Sequence, residues 1–156
     1  MKLKGIISLM SLLALATSCT EEYVTREYIT QEIGSQVYTY VYDVLPKDWR
    51  IENATDGRNY LYAEFENMDL TTRIAEKGVV MASVLYTYNQ DKGLQSWNNL
   101  PYVFPFTTKD GEVIGENIRF EYEPQRVTFV IEDLDGKDPE EVLNTMTFKV
   151  SLIDKK

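Results

Sequence analysis

Regular alternation of apolar and polar residues is the feature of this sequence that most limits its fold. Residues 145 to 153 read TMTFKVSLI, so apolar side chains recur at every second position, and residues 117 to 122 follow the same pattern. A period of two residues is typical of a β-strand with one buried face. Further segments have strand character: 37 to 45, 59 to 66, 79 to 88, 102 to 107 and 127 to 132. The pattern therefore predicts an all-β protein with about seven strands.

The connections between these strands are predicted to be short. One short helix is expected at residues 72 to 77, with Thr71 as its N-cap and Gly78 just beyond its end. Antiparallel strands without long helices favour a single β-sandwich of two sheets with immunoglobulin-like dimensions, and a closed barrel is the alternative. Turns are expected at glycines that can adopt positive φ: Gly57, Gly93, Gly111 and Gly136.

The N-terminus has the features of a lipoprotein export signal. Lys2 and Lys4 precede an apolar run from Gly5 to Ala16, which is too short to span a bilayer core of roughly 30 Å. Small residues then lead to Cys19, the only cysteine of the chain, in a sequence that resembles the recognition site of the lipoprotein signal peptidase. We expect residues 1 to 18 to be removed and Cys19 to be lipidated. The alternative is an ordinary secretory signal that leaves a free cysteine.

Lipidation of Cys19 would make a membrane the expected partner of the protein. It would also divide the remaining chain into a tether and a domain. Residues 19 to 35 are predicted to be a lipidated tether, and residues 36 to 156 to be the β-sandwich domain. Each acyl methylene buried in the bilayer adds about 0.8 kcal/mol, so two or three acyl chains would anchor the protein stably. Glu21 and Glu22 next to the lipid site are similar to the surface-export signal of Bacteroidetes lipoproteins. The expected location is therefore the outer membrane, with the domain facing the cell surface.

Charge and residue inventory exclude several classes of function. Removing residues 1 to 18 would remove two of the 16 basic residues and none of the 25 acidic ones, so the net charge would change from −9 to −11. Such a surface repels nucleic acid. Histidine is absent from the chain, so nucleophilic triads and zinc sites are not expected, and no cofactor is predicted. Glycoside hydrolysis by two carboxyl groups remains compatible with the composition, but the short loops favour a protein without enzymatic activity.

The acidic loop from residue 133 to residue 141 carries oxygen ligands of the kind that Ca²⁺ prefers. Asp133, Asp135 and Asp138 are the candidate ligands. Gly136 follows the second aspartate directly, so the spacing differs from that of an EF-hand loop. A solvated acidic loop is the alternative interpretation.

Aromatic residues are the candidate ligand-binding groups. Tyr38, Tyr40 and Tyr42 share one face of the first predicted strand, where they could form an exposed platform for a sugar or a protein. Cross-strand packing is the alternative role. Trp97 is predicted to lie in a loop between two strands and to make an exposed contact, whereas Trp49 is expected in the core.

Several short stretches together resemble a group of uncharacterised Bacteroidetes surface lipoproteins that have a single β-sandwich domain. The resemblance implies export, lipidation and a β-domain, and it transfers no catalytic residue. The stretches that carry it are Asp48-Trp49, Tyr62 to Phe65, Leu70-Thr71, Gly78 to Val80, Leu100 to Tyr102, Glu116 to Ile118 and Thr147 to Val150.

These features lead to two functional hypotheses. The first is a noncatalytic, surface-facing lipoprotein whose domain binds a glycan or an envelope protein. The alternative is a structural or assembly component of the cell envelope without a soluble ligand. The first predicts exposed Trp97 or a tyrosine cluster in a groove, and the second predicts a sheet edge or a flat apolar patch suited to self-association.

Overall fold

A computed structural model describes residues 24–30, 34–53, 59–107, 110–134, 139, 142 and 144–155. These residues form ten strands, one α-helix and one turn of 3-10 helix at Pro46–Asp48. The helix, α1, spans Thr72–Lys77. The strands are β1 (Val24–Thr30), β2 (Ser35–Val44), β3 (Arg50–Asn53), β4 (Asn59–Glu66), β5 (Val79–Asn89), β6 (Leu94–Asn99), β7 (Tyr102–Thr107), β8 (Val113–Glu123), β9 (Arg126–Asp133) and β10 (Met146–Lys155).

The strands form two five-stranded antiparallel sheets. Sheet A has the order β1-β2-β10-β5-β6, and sheet B has the order β3-β4-β9-β8-β7. The two sheets pack against each other through a shared apolar core. The predicted β-sandwich is therefore confirmed, and the closed barrel is excluded because each sheet has two edges among the described strands.

Aromatic rings join the two sheets at the centre of the core. Phe129 of β9 stacks on Phe148 of β10, with ring centroids 4.0 Å apart and an interplanar angle of 15°. Tyr42 of β2 contacts Phe65 of β4 at a centroid distance of 5.3 Å. Phe129 and Phe148 are completely buried. Burial of each such side chain stabilises the fold by about 1.5–3 kcal/mol, so these contacts hold the sheets together.

All the predicted strand segments form strands, but the predicted strand number was wrong. The described residues contain three strands that the alternation did not indicate: β1, β3 and β6. Strand β1 lies within the predicted tether and pairs with β2 along its whole length, from Val24 opposite Tyr42 to Thr30 opposite Gln36. Sheet A therefore includes Val24–Thr30, a segment that the sequence pattern placed in the tether. Cys19 and the signal sequence lie outside the described residues.

The predicted helix is confirmed together with its caps. The Thr71 hydroxyl accepts a hydrogen bond from the backbone N–H of Ile74 at 3.3 Å. Gly78 ends α1 where the chain passes close to β10: a Cβ at this position would lie 2.6 Å from the carbonyl oxygen of Ile153 and 2.8 Å from that of Ile74. Only glycine fits this passage from helix to strand without a backbone shift. Within the described part of the chain, no helix has the length and apolar composition needed to cross a membrane.

Candidate functional site

The tyrosines of β2 do not form an exposed platform. Tyr40 and Tyr42 are only 5% and 1% exposed, because their face of β2 points into the sandwich. The Tyr42 phenol oxygen accepts a hydrogen bond of 2.7 Å from the Asn67 side chain, and the Tyr40 phenol donates one to Asp69. Tyr38 is half-buried and packs against the core. These tyrosines therefore have the alternative role, packing within the sandwich.

Trp97 lies in strand β6 and not in a loop. Its side chain is 40% exposed, and its direct cross-strand neighbour is Leu85 of β5. The Nζ atom of Lys149, on β10, lies 4.4 Å from the centroid of the indole ring. A cation at this distance makes a favourable contact with the ring face. One face of the indole is therefore already occupied by Lys149, which makes Trp97 a poor platform for stacking a sugar.

The predicted Ca²⁺ ligands are only partly within the described residues. Asp133 is the last residue of β9, and it is 4% exposed. Asp135 and Asp138 lie outside the described part of the chain. Within that part, no group of three or more acidic, histidine or cysteine side chains is placed to hold a metal ion. Calcium binding by the 133 to 141 loop stays a prediction.

A groove lined by tyrosines lies on the outer face of sheet B. Tyr60 and Tyr62 of β4 form one wall, with ring centroids 6.4 Å apart and an interplanar angle of 58°. Thr128 and Val130 of β9 lie along the floor, and Glu121 of β8 lies on the opposite wall. The cavity has a volume of about 250 Å³. We call this feature the tyrosine groove.

Strand register explains why Val130, on the floor of the tyrosine groove, is almost completely covered. Val130 pairs with Tyr62 on one side and with Arg119 on the other. Its neighbours Phe129 and Ile131 point into the core, so Val130 must point outward, yet it is only 1% exposed. The side chains of Tyr62 and Arg119 therefore cover it. This cross-strand packing restrains the Tyr62 ring, which reduces the conformational entropy lost when a ligand binds.

Two arginines organise the carboxylates around the groove. Arg119 forms an ion pair with Glu121 and a second one with Glu132, at 3.5 Å. Glu132 also accepts a hydrogen bond of 2.8 Å from the Asn117 side chain. The oxygens and guanidinium N–H groups are thus held side by side, so the same surface can accept and donate hydrogen bonds.

Arg126 has the same role at the other end of the groove. Its guanidinium lies 3.2 Å from a carboxylate oxygen of Glu64 and also pairs with Glu123. These three residues line a second cavity of about 550 Å³, which continues to the exposed side chain of Met68 at the end of the sandwich. The two cavities share Glu64, Glu123 and Arg126, so they adjoin each other and together could hold an extended ligand.

The phenol of Tyr60 remains a hydrogen-bond donor over a wide pH range. Partial desolvation raises its pKa above the ordinary value of 10.0, and the nearby carboxylates of Glu52 and Glu121 raise it further. A neutral phenol beside carboxylates can donate to a ligand oxygen while the carboxylates accept from ligand hydroxyls.

Sequence reasoning placed residues 59 to 66 in a strand but did not identify Tyr60 and Tyr62 as site residues. The signal that could have found them is the alternation itself, since Leu61, Ala63 and Phe65 are the more apolar set and point inward. No protein-family model, curated protein or solved structure matches this chain.

Proposed function

We propose that this protein is a noncatalytic surface lipoprotein that binds a glycan in the tyrosine groove. The observation that carries the proposal is the placement of Tyr60 and Tyr62 beside carboxylates that arginines hold in position. A tyrosine ring can cover the apolar face of a sugar, and the surrounding oxygens and guanidinium groups can bond its hydroxyls. Ligand sites commonly combine apolar surface with a few oriented polar groups in this way.

The ligand hydroxyls would meet groups that are already oriented. Arg119 and Arg126 each bridge two glutamates, so these side chains lose less rotational freedom on binding than free surface side chains would. The two adjoining cavities favour a chain of sugar units over a single unit. An envelope protein that fills the same cavities is the alternative ligand.

Catalysis is not part of the proposal. Glu64 and Glu121 face each other across the groove, since both pair with Thr128 of β9. Glycoside hydrolysis needs one of two such carboxyl groups to give a proton to the leaving group. Here each carboxylate is paired with an arginine, an arrangement suited to hydrogen bonding with a ligand.

Lipidation of Cys19 would hold the groove at the outer membrane, on the cell surface. Between Cys19 and Val24 the chain can extend at most about 18 Å, so an anchored sandwich would stay close to the bilayer. Anchoring also concentrates binding sites on one surface, where several weak contacts act together. A modest affinity per groove would therefore be sufficient to retain a polymeric glycan.

Glycan-array screening of the chain from Thr20 to Lys156 tests the proposal. We expect binding to a defined set of glycans, loss of binding in a variant with both Tyr60→Ala and Tyr62→Ala, and retention of binding in Trp97→Ala. A folded parent chain that binds no glycan would contradict the proposal. Binding that survives in the double variant would assign the ligand to another surface.

Assembly of the envelope is the second candidate function, because one edge of sheet A is uncharged and available for pairing. Strand β6 forms this edge among the described strands.

A further inference from the structure

Strand β6 forms an edge of sheet A among the described strands, and its sequence lacks two common protections against pairing, charge and proline, although the β5–β6 pair has a register shift between Thr87 and Asn89. Its sequence, LQSWNN, contains neither a charged residue nor proline, although 26% of the chain is charged. Natural proteins commonly protect edge strands with charges, prolines, bulges or short length, because exposed backbone groups can pair with another strand. A six-residue edge strand without charge or proline is therefore a candidate for pairing with another strand.

The other edge strands of the described sheets carry such protection. Strand β7 contains Pro105, which has no N–H to donate. Strand β3 has only four residues, and two of them, Arg50 and Glu52, are charged. The sequence of β1 includes Arg26 and Glu27. Among the described strands, this contrast makes β6 the edge best suited to pairing.

Hydrogen bonding shows which backbone groups of β6 point to this edge. The N–H of Leu100 donates to the carbonyl of Ala82 at 2.9 Å, in the same register that pairs Asn99 with Ser83. Residues in an antiparallel strand point their backbone groups alternately toward one neighbour and then the other. Gln95, Trp97 and Asn99 therefore direct their N–H and C=O groups away from β5, toward the open edge.

The Trp97 indole does not block this edge. Its ring lies beneath the Lys149 ammonium, which belongs to β10, two strands further into the sheet. The indole therefore leans over sheet A and away from the open edge. Backbone groups along β6 are left accessible to a second strand.

We propose that β6 pairs in antiparallel fashion with β6 of a second copy of this chain, so that two A sheets form one continuous sheet. The chain has a net charge of −9, so two copies repel each other least where their contact places no like charges directly opposite one another. Strand β6 allows such a contact. A two-fold axis makes the contact self-complementary, as in most homodimers.

The register of this contact follows from backbone geometry. Residues that point to the open edge must face each other, and Trp97 is the middle one of the three. Placing Trp97 opposite Trp97 of the second copy brings Gln95 opposite Asn99 of that copy, so two amides meet on each side of the axis. Opposed residues of this kind have Cα atoms about 5.5 Å apart. This distance lies within the range that a disulfide can bridge.

Disulfide trapping tests both the contact and its register. The chain from Thr20 to Lys156 contains every described strand and no cysteine. We expect an oxidised mixture of the single variants Gln95→Cys and Asn99→Cys to form mixed disulfide dimers. Each variant alone should form no more dimer than Ile51→Cys, a control on protected edge β3 with 67% exposure. A mixture that gives no more dimer than this control would overturn the proposal, as would equal trapping by all variants.

Sedimentation of cysteine-free chains is the second test. The parent should shift toward dimer as its concentration rises, and Gln95→Pro should remain monomeric, since this change removes an N–H at the open edge. A folded Gln95→Pro chain, judged by circular dichroism, that associates like the parent would contradict the proposal. Glycan binding is expected to be the same in both chains, so failure of the pairing proposal is distinguishable from failure of the glycan proposal.

Discussion

The outer faces of the two sheets differ in charge and shape although they cover the same core. On sheet B, Arg119 and Arg126 hold glutamates around a groove with tyrosine walls. On sheet A, Lys149 contacts the Trp97 ring, and neutral side chains bond each other across the strands, as in the contacts of 3.3 Å between Thr39 and Ser151 and 2.9 Å from Ser83 to Asn99. The difference teaches that the inward positions of each strand set the fold, while the outward positions are free to serve separate functions.

The charge difference also suits the two sheets to different contacts: glycan binding on sheet B and self-association through sheet A. Carboxylates around the tyrosine groove oppose contact between two copies of an anionic chain, but they offer acceptors to sugar hydroxyls. The edge strand β6 of sheet A carries no carboxylate, so it places no like charges opposite each other when two copies meet and offers no charged acceptor to a sugar. Glycan binding on sheet B and self-association through sheet A are therefore compatible in one molecule.

If Cys19 is lipidated as proposed, the anchor also orients the two sheet faces relative to the membrane. Two copies bound to one membrane leaflet must be related by an axis along the membrane normal. An axis through paired β6 strands is perpendicular to sheet A, so the sheets would lie parallel to the membrane. With the outer face of sheet A toward the lipid, the tyrosine groove would face away from the cell, where glycans are accessible.

The largest expected effect comes from breaking the core that both faces share. Phe129→Ala removes the ring that stacks on Phe148 and should lower the free energy of unfolding by about 3–5 kcal/mol. Chemical denaturation measures this change. Glycan binding and β6 pairing should be lost together as the protein unfolds; loss of one function alone would mean that the faces do not depend on a common core.

The next largest effect is expected from a substitution that changes sheet B alone. Tyr62→Ala removes one wall of the groove and should weaken glycan binding about tenfold or more, equivalent to about 1.4 kcal/mol. Isothermal titration measures the affinity, and Trp97→Ala is the matched control on sheet A. If the control weakened binding as much as Tyr62→Ala, the assignment of the ligand to sheet B would be wrong.

A smaller effect is expected from the ion pairs. Arg119→Gln should change the free energy of unfolding by only about 1 kcal/mol, because solvent screens these partly exposed ion pairs and the glutamine stem can still cover part of Val130. It should nevertheless weaken glycan binding several-fold, since two glutamates lose their restraint. Arg73→Gln, which breaks the ion pair of 3.2 Å with Asp154 away from the groove, should leave binding unchanged. If Arg119→Gln and Arg73→Gln weakened glycan binding equally, Arg119 would have no specific role in binding.

The smallest effect concerns Tyr60. Its pKa is raised in the folded chain, so above pH 10 the unfolded chain loses this proton first, and stability falls as pH rises through this range. Tyr60→Phe should make the decline between neutral and strongly alkaline pH slightly shallower. Thermal melts at a series of pH values measure the difference, with Tyr88→Phe on sheet A as the control. If Tyr60→Phe left the decline of stability with pH unchanged, the raised pKa of Tyr60 would be contradicted.

Two tyrosine-bearing strands show what sequence alone could predict about the site. In β2 the residues between the tyrosines are Thr39 and Val41, whereas in β4 Leu61 lies between the tyrosines and Ala63 and Phe65 continue the same alternation. The more apolar set faces the core in each strand, so the tyrosines point inward in β2 and outward in β4. Tyrosine fits either side of a sheet, and its orientation depends on the residues that alternate with it.

Strand β6 shows what the sequence could not predict. Asparagine, glutamine and serine have low strand propensity, and LQSWNN lacks alternation of apolar and polar residues. The segment becomes a strand because a turn after Asn89 returns it alongside β5, where backbone pairing is available. Such pairing is a tertiary effect that a local pattern does not encode. Strand β1 was missed for a similar reason, because the partner that orders it is β2.

Mapping of backbone amide chemical shifts during glycan titration tests the central claim most directly. We expect the shifts to concentrate on β4, β8 and β9, at Tyr60, Tyr62, Thr128 and Val130, and the signals of Trp97 and Lys149 to stay unchanged. Shifts that centre on Trp97 and Lys149 would contradict binding in the tyrosine groove, because the ligand would then bind sheet A.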